Sequence, residues 1–361
     1  MEEGSALIKI ILHTVPERDK LLMRFRNAAG IPAARRASAL LTSDRHEGEN
    51  RMNFYLAPLE GITGYVYRRA YQDFFHNVDK YFIPFVEPHK KRDFNAKERK
   101  EISRENNHGF CVVPQILTND AQDFLRMADA LVKEGYEEIN LNLGCPSGTV
   151  VSKGKGSGFL GFPDKLDRFL EEIFSEAPCR ISVKTRIGRY EPEEFERLLE
   201  IYNRYPLEEL IVHPRTREDY YKNSPDWEAF GLAQEQGKHP LCYNGDIFTA
   251  EDYRNVTRRF PKVTSVMLGR GIIRNPQLVD QIRSGEETDW NLLRSFHDRL
   301  YRDYQETLSG DRPLLFKMKE LWCYELDLFP GSEKAGKKLK KAQRRGEYEQ
   351  AVEELFRLVS E

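Results

Sequence analysis

The 361-residue chain has no apolar run of the ~18 to 20 residues that a membrane-spanning helix needs, so an integral helical membrane protein is excluded. It is poor in cysteine. Cys111, Cys145, Cys179, Cys242 and Cys323 stand far apart, none in a Cys-x-x-Cys pair, and their number is odd. Neither a zinc knuckle nor a disulfide framework fits that spacing, no bound metal is expected, and reduced thiols in the cytoplasm are the simplest reading. Charge of one sign is also lacking: 56 Lys+Arg against 58 Asp+Glu leave a formal net charge of −2. A nucleic-acid partner is still allowed, but its basic surface must be local.

What is present is a chain 40% hydrophobic and 32% charged, long enough for one large domain of ~250 residues plus additions. Residues 1–51 read differently from the rest. They mix Arg and Ala with acids such as Glu2, Glu3, Glu17 and Asp19, which fits neither a secretory nor a mitochondrial leader. They are expected to be a poorly ordered extension, with Met52 as the natural start.

From Met52 short β-rich runs alternate with amphipathic stretches. The expected strands are Asn53–Ala57, Tyr81–Val86, Cys111–Ile116, Glu138–Leu143, Arg180–Lys184, Glu209–His213, Pro240–Asn244 and Thr264–Leu268. Helices are expected between them, for example Ala121–Glu134, Pro163–Ser175 and Glu193–Arg204. About eight strand–helix units are the arithmetic of an α/β protein with a (β/α)8 TIM barrel, here over 52–285. A doubly wound sheet is the alternative, but the first turn, Ala57-Pro58-Leu59-Glu60-Gly61, lacks its glycine fingerprint. After about residue 286 the strands stop. Leu292–Leu308, Leu314–Tyr324 and Tyr348–Leu358 read as a small C-terminal helical domain over 286–361.

Chemistry in a barrel sits at the C-terminal ends of its strands. The fourth strand ends in Asn142-Leu143-Gly144-Cys145-Pro146. Cys145 is either a bland core thiol or a reactive one. No His adjoins it to make a thiolate, which favours a protonated thiol able to donate a proton. Lys184 ends the fifth strand, as a snorkelling side chain, a Schiff-base former, or a binder of phosphate or an electron-rich ring. His213-Pro214-Arg215 ends the sixth, Asn244-Gly245-Asp246 the seventh, and Gly269-Arg270-Gly271 the eighth. Each alone could be a tight turn; together at four successive mouths they suit one phosphorylated cofactor. Gly156-Ser-Gly158-Phe-Leu-Gly161 matches G-x-G-x-x-G but lies too far past its strand, and the Walker spacing fails at Lys155. That glycine-rich stretch is expected to be a mobile substrate loop over the mouth.

Seven motifs in order, Ala57-Pro58-Leu59-Glu60-Gly61-Ile62-Thr63, Pro114-Gln115, Asn142 to Pro146, Val183 to Arg186, His213 to Arg217, Asn244 to Asp246 and Leu268 to Gly271, resemble the tRNA-dihydrouridine synthases from about Met52 to the C-terminus. Pro214 departs from the Gly that many members carry after the His. The resemblance implies an FMN-binding barrel, a helical tRNA-binding domain and NADPH as reductant. It implies Cys145 as proton donor to C5 of uracil. Pro58, Leu59, Gln115, Lys184, His213, Asn244, Gly245, Asp246, Gly269 and Arg270 match the FMN site, and Asn142 and Arg215 are assigned to the substrate. Lys337, Lys338 and Lys341 in the Lys334–Arg345 cluster, together with Lys90-Lys91-Arg92, are the expected tRNA surface. A monomer is expected. The competing readings are an FMN barrel acting on a free pyrimidine, a barrel aldolase using Lys184, and a non-catalytic tRNA-binding relative.

Overall fold

A computed structural model describes residues 51–90 and 92–359; the expected extension, apart from Arg51, and the expected tRNA contact Lys91 lie outside the described residues. Nine parallel strands form one sheet: β1 (Asn53–Leu56), β2 (Lys80–Phe82), β3 (Val112–Val113), β4 (Gln115–Ile116), β5 (Glu138–Leu143), β6 (Arg180–Gly188), β7 (Leu210–Thr216), β8 (Leu241–Tyr243) and β9 (Ser265–Leu268). Their order is β3-β2-β1-β9-β8-β7-β6-β5-β4. The two ends of that order, β3 and β4, are halves of one run cut at Pro114. The first half pairs with β2 and the second with β5, and Val86 bridges to Ile116. The sheet therefore closes into an eight-position TIM barrel, as the strand count predicts. Proline has no N–H to give a ladder, so the run breaks there. The Pro114 carbonyl still accepts from Asn140 N at 2.9 Å.

Strand alternation sorts the side chains. Ile139, Leu141, Ile181, Val183, Leu210 and Val212 belong to the large cluster between strands and helices. Tyr55, Phe82, Val113, Ile211, Cys242 and Met267 form a separate small cluster inside the barrel. Asn142, Lys184, His213 and Asn244 share the inward parity and stand near the strands' C-terminal ends. A polar mouth thus lies above an apolar plug.

Helices α1 (Tyr65–Phe75), α2 (Ala96–Ile102), α3 (Ala121–Lys133), α4 (Gly148–Val151), α5 (Pro163–Glu176), α6 (Glu194–Tyr202), α7 (Trp227–Gln236), α8 (Ala250–Arg259), α9 (Arg270–Arg274) and α10 (Leu278–Ser284) connect or follow the strands. Asp120 and Thr249 cap α3 and α8 by accepting from the third residue's N–H. Four further helices follow: α11 (Trp290–Thr307), α12 (Asp311–Glu325), α13 (Glu333–Lys341) and α14 (Arg345–Arg357). The described helices include none long and apolar enough to cross a membrane.

Besides the break at Pro114 and a β2 that stops at Phe82, short of the expected Val86, three features differ from the sequence expectation. β6 and β7 run on to Gly188 and Thr216, because the polar Thr-Arg and Pro-Arg-Thr segments stay paired beyond the mouth. α13 was hidden by its lysines; Ala335, Gly336 and Leu339 form its buried stripe. The glycine-rich stretch is not a loose loop over the mouth. Gly156–Gly161 is a 3-10 helix with Gly156, Ser157, Gly158, Phe159 and Leu160 buried. A side chain at Gly158 would meet the Val151 backbone at 2.8 Å, so glycine there serves close packing.

The tail docks through aromatic rings. Phe296 of α11 lies within 5.2 to 6.2 Å, centroid to centroid, of Phe75, Phe74, Tyr67 and Tyr71 on α1. At its hub the Tyr348 hydroxyl accepts from Trp322 Nε1 at 2.9 Å and donates to His297 Nε2 at 2.7 Å, while His297 Nδ1 donates to Asp298 at 2.9 Å. Burial holds that imidazole neutral. Tyr348→Phe strands both buried partners and is expected to cost about 1–3 kcal/mol, read as a lower urea midpoint at unchanged slope.

Candidate active site

An open cleft of about 260 Å³ lies at the barrel mouth. Its walls come from the ends of β1, β4, β5, β6, β7, β8 and β9, from Phe85 after β2, and from Tyr324 of α12. Pro58, Leu59, Gln115, Asn142, Cys145, Lys184, His213, Asn244, Gly245, Asp246, Gly269 and Arg270, all singled out from the sequence, line it. Arg215, Lys337, Lys338 and Lys341 do not. Arg215 is buried below the surface, and the three lysines are exposed on α13.

A buried amide ladder fixes the thiol. Gln115 Nε2 donates to Asn140 Oδ1 at 2.7 Å, and Asn142 Nδ2 donates to Gln115 Oε1 at 2.6 Å. Asn142 Oδ1 then accepts from the N–H groups of Gly144 and Cys145 at 3.1 and 3.0 Å. On the other side, the Cys145 carbonyl accepts from Ser157 Oγ at 2.8 Å and Ser157 N at 3.1 Å. The half-buried Cys145 is held at both peptide ends. Burial pushes its thiol above the ordinary value, against smaller pulls downward from a backbone contact at Ser147 and from Arg186 and Lys184.

Cations surround the thiol's neighbours. Burial, then Arg186, lower the Lys184 ammonium to about 8. Among the described residues that ammonium has no hydrogen bond or ion pair. Burial and the charges of Arg186, Lys184, Arg215 and Arg270 push His213 well below its usual value. Arg215 Nη1 donates to His213 Nε2 at 3.1 Å, so the neutral ring carries its proton on Nδ1. Arg215 also donates to Asp246 at 3.0 and 2.5 Å and to Asn223 O at 2.6 Å. Asp246 takes Arg270 as well, at 2.5 Å. Asp246 thus orients two arginines, and Arg215 positions His213.

The first loop is held by Thr63, whose hydroxyl accepts from Leu59 N at 2.8 Å and donates to Ala57 O at 3.0 Å. At the far corner, glycine is required at Gly245, where a side chain would run into the Tyr243 hydroxyl, and at Gly271, where it would strike the Ile247 carbonyl. Glycine there serves close packing beneath the cleft wall.

Arg186, Tyr221, Phe85 and Tyr324 are among the wall residues that escaped assignment. Arg186 stands within a quoted motif, and its three bonds to Gly144 O (3.0 Å), Thr216 O (2.7 Å) and Tyr220 O (2.9 Å) join the thiol's loop to the loop after β7. Tyr221, 4.5 Å from the Arg270 guanidinium, is signalled only by the Tyr220-Tyr221 pair. Phe85 and Tyr324 arrive from other elements with no local signal.

Fold and cleft define a TIM-barrel protein with a cationic, polar ligand mouth and one protonated thiol. A model of the family described as Dihydrouridine synthase (Dus) matches residues 55–358, and the chain belongs to that family. A relative named probable tRNA-dihydrouridine synthase, from Staphylococcus aureus (strain Mu50 / ATCC 700699), is 29% identical over 264 residues, 70% of this chain and 78% of the relative. tRNA-dihydrouridine synthase B of Pasteurella multocida (strain Pm70) is 26% identical over 236 residues, 65% and 70% of the two chains. Among solved structures, the old yellow enzyme from Trypanosoma cruzi aligns with a TM-score of 0.49 at 9% identity, over 72% of this chain and 95% of that one.

The raised thiol predicts slow alkylation. Peptide-resolved iodoacetamide labelling at Cys145 should be slow at neutral pH and climb steadily as the solution turns alkaline, because only the thiolate attacks. A fast, flat profile would contradict a protonated thiol.

Proposed function

We propose that the protein is a flavin-dependent tRNA-dihydrouridine synthase that saturates the C5–C6 bond of specific tRNA uridines, with Cys145 as proton donor. One observation carries the reading: a thiol kept protonated by burial shares one cleft with an ammonium unpartnered among the described residues and a neutral imidazole. Family membership and relatives named for the same reaction support it.

The residues present fit FMN. A buried Lys184 ammonium without a hydrogen-bond or ion-pair partner among the described residues, in one cleft with Arg270, suits an anionic, phosphorylated guest. Lys184 and His213, with Pro58, Leu59 and Gln115, would hold the ring system. Asn244, Gly245, Asp246, Gly269 and Arg270 would hold the phosphate end. The chemistry such a group supplies when bound is hydride delivery to C6 of a uracil, with NADPH as the electron source.

The chain's own residues do the rest. Hydride at C6 leaves negative charge at C5 and O4. The Cys145 Sγ–H gives its proton to C5, and the thiolate left behind is stabilised by Arg186 and Lys184 before solvent reprotonates it. Asn142 keeps that sulfur at one position, while Arg215 fixes the His213 tautomer. A uracil stacked inside an RNA helix cannot enter the mouth, so the base must be flipped or loop-exposed. We assign 52–285 to cofactor and chemistry and 286–361 to tRNA. Lys337 and Lys341 have no ion-pair partner among the described residues, whereas Lys338 is held by Glu354 at 2.7 Å.

Cys145→Ala should purify yellow and leave tRNA without dihydrouridine in a cell lacking the wild-type gene, read by mass spectrometry of tRNA digests. Full modification by that variant would remove the acid assignment. FMN affinity should fall as pH rises above about 8, by up to about tenfold per unit, as Lys184 loses its proton. Lys184→Gln should bind more weakly and flatten that profile in flavin-fluorescence titrations.

A further inference from the structure

Six large apolar or aromatic side chains are exposed among the described residues, and four of them, Phe162, Tyr190, Tyr220 and Tyr221, lie on the segments that follow β5, β6 and β7. Phe162 is 41% exposed and Tyr190 52%. Scattered exposed rings need no account, but a contiguous strip does.

The strip is built on the part of β6 and β7 that outruns the barrel. Gly188 O accepts from Arg217 N at 2.9 Å, which sets Arg189 and Tyr190 beside Arg217 and Tyr220. The Arg189 guanidinium lies 4.8 Å from the Tyr190 ring and 5.8 Å from the Phe162 ring, and Lys165 Nζ lies 5.0 Å from the Phe162 ring. Arg217 covers Tyr220 at 4.9 Å. Among the described residues neither Arg189 nor Lys165 pairs with a carboxylate. The Nε atoms of Arg189 and Arg217 are buried without any partner. Tyr220 sits in the left-handed region at φ 52°, a strain of about 1 kcal/mol for a non-glycine residue, and Arg186 holds its carbonyl. Tyr221 continues the strip into the cleft wall.

We infer that this strip stacks the unpaired nucleotides flanking the target uridine. The inference rests on the tRNA reading above and adds where, and by what chemistry, the neighbouring bases are held. Rings interleaved with cations, of which Arg217 holds Glu218 at 2.7 Å while Arg189 and Lys165 have no carboxylate partner among the described residues, match single-stranded nucleic acid: bases take the aromatic faces, and phosphates take Arg and Lys. A protein partner would need acids opposite Arg189 and Lys165 and is the competing occupant.

The test uses full-length protein and a fluorescein-labelled oligouridylate of about ten nucleotides, a length suited to single-strand grooves. Phe162→Ala/Tyr190→Ala should bind it about tenfold or more weakly in anisotropy titrations, with an unchanged slope of affinity against salt. Phe162→Trp/Tyr190→Trp should restore binding. Arg189→Ala should weaken binding and flatten the salt slope. Steady-state assays on tRNA should show the double alanine variant raised in KM more than lowered in kcat, with thermal unfolding and flavin content as folding controls. Undiminished oligonucleotide binding by the double alanine variant overturns the inference, as does loss of concentration-dependent self-association in its place. A wild-type protein that forms no dihydrouridine would sink the tRNA reading instead; one that forms it while the alanine variant binds normally sinks only the strip.

Discussion

The seam at Pro114 holds the barrel and the thiol together. The run 112–116 is shared between β2 and β5, and the missing proline N–H is the point where it changes partner. The next residue, Gln115, starts the amide ladder that passes through Asn142 to the Cys145 peptide. Both lone pairs of the Asn142 carbonyl are used on the turn after β5. The side-chain rungs from Asn140 through Gln115 to Asn142 are buried, so removing one partner would leave unsatisfied amides in a low dielectric. Barrel closure and thiol placement are therefore one hydrogen-bonded unit.

Around that unit the mouth is overfull of positive charge. Lys184, Arg186, Arg215 and Arg270 converge, and within the cleft wall Asp246 balances two of them. Burial first, and then like charges crowded into the same space, depress proton affinity, which accounts for the lowered Lys184 and the neutral His213. Such a site is poised for an anion. It is also poised to stabilise negative charge that appears during a reaction rather than before it, which is the condition for catalysis as opposed to binding alone.

Strands and mouth residues were legible because both signals are local. Alternation as in Glu138–Leu143 marks a strand, and polar residues at strand ends mark a barrel mouth. Pro114 illustrates what was not legible: its role depends on which neighbours the two halves of its strand meet. Arg215 is the same lesson in side chains. Its place in a His-Pro-Arg motif suggested a ligand contact, but burial turns its fork onto Asp246, His213 and Asn223. Tyr324 and Phe85 reach the cleft from elements whose position only the packed structure defines. The Gly156–Gly161 stretch misled because glycine serves tight packing as readily as freedom.

The helix α12 carries Tyr324 into the cleft wall, and Lys317 on the same helix donates to the Gly61 carbonyl of the first loop while holding Glu320 at 2.6 Å. The C-terminal helices are thus no interchangeable cassette. A chimera that borrowed them from a relative would import one side of the chamber, so whatever else the helices brought would arrive coupled to a change in how the chamber closes.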